Sequence, residues 1–200
     1  MCIRDSTGSD DKRIKNNIEM QVETANAAWK IIWDNYQKHE IPMWRMFVCN
    51  STTALFIRYT EGMHYGWHCD SPFMAGGVRS DFSTTVFLND PSEYEGGELV
   101  LQYGTETVEV KLPAGWAFSY PTGTKHMVRE VTSGVRDVAV FWSKSMFKCQ
   151  EDRRIATYNY EIKQELTKLY PNAEDPDDDH YGITRGLDEQ LNSLMRSKAY

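Results

Sequence analysis

Hydrophobic and polar positions divide the chain into three zones. From about Asn17 to Glu40, Ala25, Ala28, Trp29, Ile32, Trp33 and Tyr36 recur at three- and four-residue steps. They draw one apolar stripe and predict an amphipathic helix over 17–40, terminated by Pro42. From about residue 54 to 144 the period changes. Short runs rich in β-branched and aromatic residues predict strands over 54–60, 65–70, 83–89, 97–103, 106–111, 115–121, 126–131 and 136–143. Turn signals separate them, and "TSG" at 132–134 reads as a hairpin joining the last two. About eight short strands with no helix between them point to a β-sandwich or jelly roll, mainly β with flanking helices. The third zone returns to helix. Ile155, Tyr158, Ile162, Leu166 and Leu169 form a second stripe, "NAEDPDDDH" reads as a solvated acidic linker, and a last helix carries Leu187, Leu191 and Leu194.

Composition narrows the class. Two hundred residues with 40% hydrophobic and 26% charged side chains suit one globular domain, read here over 12–200 with a helical C-terminal extension at 150–200. Residues 1–11 read as a disordered leader, and the N-terminus lacks the apolar core of a secretory signal. No apolar run is long enough to span a bilayer, so no membrane partner is expected. A formal charge of −7 disfavours nucleic-acid backbones. Cys2, Cys49, Cys69 and Cys149 are scattered, which argues against a zinc ribbon or disulfide scaffold and fits a cytoplasmic location. Oligomeric state has no signature in the sequence.

The chemistry starts at "EGMHYGWHCDSP" (61–72), where His68 and Asp70 stand two apart and share a face of an extended backbone. With five histidines in the chain, that pair alone carries little. A jelly roll brings distant strands side by side, and His126, opening the strand after "PTGT", is the third candidate ligand. The other histidines fit less well: His39 ends a helix, His180 sits in the acidic loop, and His64 precedes His68 on an element already supplying two ligands. Two imidazoles and one carboxylate leave three metal positions open. Non-haem Fe(II) oxygenases use that arrangement to take a keto acid and O₂, whereas structural zinc closes its shell. Arg136 stands ten residues after His126 on an apolar strand, where a planar fork of donors suits a carboxylate and an unpaired charge is costly. The competing readings are a strand-end histidine and a surface hairpin arginine paired with Glu130.

Around these positions, "KNN" (15–17), "RYTEGMHYGWHCD" (58–70), "DFSTTVFLNDPSEYEGGELVL" (81–101), "VKLPAGWAFSYPTGTKHMVREVTSGVR" (110–136) and "FWSKSM" (141–146) resemble one family. It is that of the Fe(II)- and 2-oxoglutarate-dependent dioxygenases, in the prolyl 4-hydroxylase-like branch and closest to the bacterial PKHD-type hydroxylases. The resemblance implies a double-stranded β-helix with Fe(II) held by His68, Asp70 and His126. It implies Arg136 on the distal carboxylate of 2-oxoglutarate and Tyr59 as a further partner of that cosubstrate. The implied reaction consumes O₂, hydroxylates an unactivated C–H bond and releases succinate and CO₂, with ascorbate as reductant. Asp70 itself argues for hydroxylation, because related halogenases leave a small residue there to admit chloride.

Trp142 resembles an aromatic position six residues after the arginine in the animal oxygen-sensing prolyl hydroxylases that lies near the substrate, which implies a substrate contact here. Tyr65 and Trp67 alternate to the face opposite His68, although a bend at Gly66 would bring Tyr65 to the pocket rim. Arg79, in the loop "MAGGVRSD", is a third candidate contact. The implied substrate is a prolyl or other amino-acid-type group on a small molecule or peptide. Two other readings stay open: a non-catalytic jelly-roll binding domain with a vestigial metal site, and a cupin-like metalloenzyme that uses no keto acid.

Overall fold

The computed structural model describes residues 14–20 and 22–198, with 22–24 described in backbone alone. The leader read over residues 1–11 lies outside them. In chain order the elements are β1 (Lys15–Asn16), β2 (Ile18–Glu19), α1 (Val22–Tyr36), β3 (Val48–Ser51), β4 (Leu55–Thr60), β5 (His64–His68), β6 (Phe73–Met74), β7 (Val78–Arg79), β8 (Phe82–Phe87), β9 (Tyr94–Gly96), β10 (Leu99–Tyr103), β11 (Glu106–Val110), β12 (Ala117–Pro121), β13 (His126–Val128), β14 (Val131–Ser145), α2 (Gln150–Leu169) and α3 (Tyr181–Lys198). The described residues pack as two compact units, one within 14–33 and 50–144 and the other within 34–49 and 145–198.

The first unit is a jelly roll, and each of the eight predicted strands is present in it. One sheet has the order β1–β5–β13–β10–β11, and the other runs β12–β8–β14–β4–β2 with β9 also paired to β14. Their inward faces meet in one cluster: Leu99, Leu101 and Val128 from the first sheet pack with Tyr59, Phe87, Tyr120 and Val138 from the second. Each such buried side chain contributes roughly 1.5–3 kcal/mol of transfer free energy. The apolar stripe of α1 covers the outer face of the second sheet, where Trp29 and Trp33 lie 4.9 and 6.3 Å from the Phe141 ring.

Helix α1 is shorter than the stripe suggests. Residues 15–19 are drawn instead into pairing with both sheets, Lys15 opposite Tyr65 and Ile18 opposite Arg58, so tertiary pairing overrides helical pattern. At its other end the helix stops at Tyr36, where four polar residues interrupt the stripe, and Pro42 is not the terminator. Pro42 lies at the start of a short π-helix over Ile41–Arg45, a position where its missing N–H costs little.

The expected "TSG" hairpin is absent. Strand β14 runs unbroken through residues 132–134, pairing first with β9 and then, from Val135 onward, with β4. The change of partner falls at Gly134, whose φ is +77° and where a Cβ would stand 2.2 Å from the carbonyl oxygen of Glu93. β13 and β14 therefore belong to different, facing sheets.

The second unit has its own small core of Phe47, Phe147 and Ala156, packed by Met146, Leu191, Leu194 and Met195. The α2 stripe read from the sequence is corrected here: Ile155, Tyr158, Ile162 and Leu169 are 50–71% exposed. The packed face is offset from it. Ala156 permits close approach, Tyr160 stacks on Trp44 at 4.9 Å, and Lys163 pairs with Asp188. Among the described residues no helix is long and apolar enough to cross a membrane.

Replacing Gly134 with Ala adds both left-handed backbone strain and a collision, whereas Gly104 (φ +61°) has open space around it. Urea unfolding should show Gly134→Ala costing more than about 3 kcal/mol and Gly104→Ala only about 1 kcal/mol. Equal losses would deny that the bend at residue 134 is sterically required.

Candidate metal centre and its cavity

Period-two alternation builds both walls of a cavity inside the first unit. On β14, Arg136, Val138, Val140 and Trp142 share the inward face. Their cross-strand partners on β4 are Tyr59 opposite Arg136, Ile57 opposite Val138 and Leu55 opposite Val140, and these line it too. The facing wall carries His68, at the end of β5, directly paired with His126, at the start of β13. Asp70 follows two residues beyond β5.

Strand β5 does not alternate evenly. Tyr65 pairs with Val128 while His68 pairs with His126, so β5 carries one extra residue, a bulge at Gly66–Trp67. The Gly66 N–H donates to the carbonyl of Ile14 at 2.7 Å, which holds the bulge in place. Even alternation for Tyr65 is thereby corrected. Its ring lies flat on His68, at 3.6 Å and 15°, and lines the cavity. Trp67 remains outside, 43% exposed.

The two imidazoles are prepared in the same way. Nδ1 of His68 lies 2.8 Å from the Gly66 carbonyl, and Nδ1 of His126 lies 2.9 Å from that of Thr124. A carbonyl can only accept, so each Nδ1 carries a proton, and Nε2 is the ring nitrogen whose lone pair a metal would use. Those Nε2 atoms face Asp70, His68 at 3.6 Å from Oδ1 and His126 at 3.7 Å from Oδ2. One donor atom from each of the three residues lies within 4.8 Å of the others, a spacing that could hold a metal ion.

Electrostatics keep the set ready to ligate. Burial works against ionisation of Asp70, but the two histidines, Trp142 and Ser83 outweigh it and hold the carboxyl below its usual range. Burial also lowers His126, and His68 nearby adds to this against the pull of Asp70, so the neutral ring is favoured.

Arg136 approaches from the other sheet. It is 1% exposed, its guanidinium lies over the rings of Tyr59 and Phe87 at 5.1 and 5.7 Å, and Nε and Nη1 have no hydrogen-bond partner among the described residues. Burial pulls it below its ordinary value, opposed by the phenols of Tyr59, Tyr94 and Tyr120, yet a guanidinium stays protonated in proteins. Gly97 makes room for it, since a Cβ there would stand 2.9 Å from Cδ of Arg136. Adjacency to His126 through a hairpin is corrected: the two side chains come from facing sheets.

Tyr59 is 2% exposed and accepts a hydrogen bond from Nδ2 of Asn17 at 3.1 Å. Trp142 also lines the cavity, but its Nε1–H donates to Oδ2 of Asp70 at 2.9 Å. Arg79 is not brought to the cavity. Its Nε and Nη2 grip the carboxylate of Asp81 at 2.8–3.0 Å, two residues along. Sequence reasoning missed Lys15, Asn17, Ser83 and Tyr120, each of which lines the cavity or bonds to a residue that does. The available signal was "KNN" for the first two, and for Ser83 the inward register of the strand that begins at Phe82.

Known proteins resemble this chain in sequence and in fold. The profile of the 2OG-Fe(II) oxygenase superfamily matches residues 54–144. A PKHD-type hydroxylase of Picosynechococcus is 50% identical over 103 residues, which is 52% of this chain and 47% of the relative, so the match spans about half the length of each. Another PKHD-type hydroxylase, from Thioalkalivibrio sulfidiphilus, is 37% identical over 198 residues, covering 96% of this chain and 85% of that one. The fold is shared with a prolyl hydroxylase from Trichoplax adhaerens, solved in complex with a hypoxia-inducible factor oxygen degradation domain peptide fragment. There the TM-score is 0.52 at 14% identity, over 72% of this chain and 68% of that one. Identity sustained along nearly the whole chain, with the superfamily profile over its strand-rich core, makes this chain a member of the 2OG-Fe(II) oxygenase superfamily and, within it, of the PKHD-type hydroxylases.

Proposed function

We propose that this protein hydroxylates an unactivated C–H bond with Fe(II), 2-oxoglutarate and O₂. The observation that carries the reading is Arg136: a sealed guanidinium with two unmatched donors, in the cavity that also holds His68, Asp70 and His126. A forked buried cation fits a carboxylate, and two imidazoles beside a carboxylate fit a divalent iron.

In this reading His68, Asp70 and His126 hold the metal, and Arg136 binds the far carboxylate of the keto acid. Tyr59 accepts from Asn17, so its own hydroxyl proton is left to donate to that cosubstrate. When bound, iron with 2-oxoglutarate and O₂ supplies the oxidising power, with succinate and CO₂ as coproducts. The chain orients the cosubstrate and keeps water from it: Leu55, Ile57, Val138 and Val140 form an apolar floor between the arginine and the ligand set. Tyr65 and Trp142 border the ligand set and are the surfaces a substrate meets on approach.

The substrate class is a prolyl or other amino-acid-type group, on a small molecule or peptide. Support comes from the Trichoplax prolyl hydroxylase, whose structure contains a peptide fragment. Ascorbate is assigned as reductant on family resemblance. A cytoplasmic location accords with the scattered cysteines, of which Cys49, Cys69 and Cys149 are exposed.

Purified protein given Fe(II) should convert 2-oxoglutarate to succinate, slowly without prime substrate, and an amino-acid or peptide substrate should gain one oxygen by mass. His126→Ala and Asp70→Ala should abolish succinate formation. Undiminished turnover in either would remove that residue from the ligand set. Arg136→Ala should raise the KM for 2-oxoglutarate roughly 30- to 100-fold, the loss expected from a charged, forked hydrogen bond. Anaerobic addition of Fe(II) and 2-oxoglutarate should produce a visible charge-transfer band, and its absence would favour a non-catalytic binding domain.

A further inference from the structure

Asp70 presents two oxygens that differ in what already holds them. Oδ2 accepts from the Ser83 hydroxyl at 2.7 Å and from Nε1–H of Trp142 at 2.9 Å. Both donors come from one place in the fold: Trp142 on β14 stands directly opposite Ser83 on β8, so their side chains share the inward face of the second sheet. Ser83 is 0% exposed, and its oxygen lies 3.2 Å from Oγ1 of Thr122, from which it can accept while its single proton goes to Asp70. Two donors from the second sheet thus converge on Oδ2. Each oxygen also faces an imidazole, Oδ1 at 3.6 Å from Nε2 of His68 and Oδ2 at 3.7 Å from that of His126, but among the described residues the hydroxyl and indole donors converge on Oδ2 alone.

The geometry points to Trp142 and Ser83 as a cross-strand pair of positioning residues that restrain Asp70 to a single metal-facing oxygen. The inference rests on the proposed iron site. It adds a hold on Asp70 to the place of Trp142 beside the substrate's approach and gives Ser83 a defined task. The chemical consequence is a guarded vacancy. A carboxylate free to rotate can chelate through both oxygens and would then occupy one of the three positions that a keto acid and O₂ require. With Oδ2 tied to the second sheet, the cost of that rotation is the loss of two charge-assisted hydrogen bonds.

The test uses the full chain, stripped of metal, with Mn(II) as a redox-inert probe. Trp142→Phe keeps the ring and removes the N–H, and Ser83→Ala removes the hydroxyl. Calorimetry should show each variant binding Mn(II) about tenfold more weakly, the usual effect of removing a partner of a metal ligand. The Mn(II)-loaded variants should also bind 2-oxoglutarate about tenfold more weakly, the mark of a freed oxygen competing for its place. The Fe(II)–2-oxoglutarate absorption band should shift in both. A merely structural role predicts a lower melting temperature of the metal-free protein with both affinities and the band unchanged, and that result would overturn the assignment. Wild-type protein that binds neither Mn(II) nor 2-oxoglutarate would bring down the iron site itself, an outcome distinct from variants that bind like wild type.

Discussion

A guanidinium sealed inside a β-sandwich is a costly object, and the arrangement of the cavity follows from accommodating it. Arg136 sits among Ile57, Phe87 and Val138, where a lone charge is disfavoured by several kcal/mol. The protein offsets part of this with the faces of Tyr59 and Phe87 and leaves space at Gly97 for the side chain to lie flat. Two of its donors remain unmatched. The same cavity holds His68, Asp70 and His126, so a buried cation and a set of potential metal ligands share one enclosed space.

The same logic runs through the ligand end. Backbone carbonyls of Gly66 and Thr124 choose the tautomer of each imidazole, and a hydroxyl and an indole hold the carboxylate. Each of these partners comes from a different stretch of chain, so the site is only as exact as the jelly roll that assembles it. Sites of this kind tolerate change in surface loops and resist change in strand register, because a one-residue slip reverses every inward side chain.

Much of this was legible in the strand zone. Hydrophobic alternation located all eight central strands, and the residues later found together, His68, Asp70, His126 and Arg136, carried their chemistry in type and spacing. What local pattern misjudged has a common cause. The 17–20 segment has a helical neighbour but pairs with β4; "TSG" has turn composition but forms part of a long bent strand; the α2 stripe has helical period but faces outward because Ala156 and Tyr160 pack better. In each case a contact between residues distant along the chain outweighed a local preference of about a kcal/mol.

Side-chain chemistry and its periodicity were set by the sequence alone: which residues can ligate a metal, which can hold a carboxylate, and which strands present them. Tertiary structure decided the rest. It put His126 and Arg136 on facing sheets, turned Tyr65 onto His68 through a bulge, withdrew Arg79 to Asp81, and brought Asn17 to Tyr59 and Ser83 with Trp142 to Asp70. The reason is physical. Period and composition act over a few residues, whereas a bulge, a bend or a hydrogen bond across the sandwich depends on which backbones end up side by side, and that is settled only when the whole sheet closes on its core.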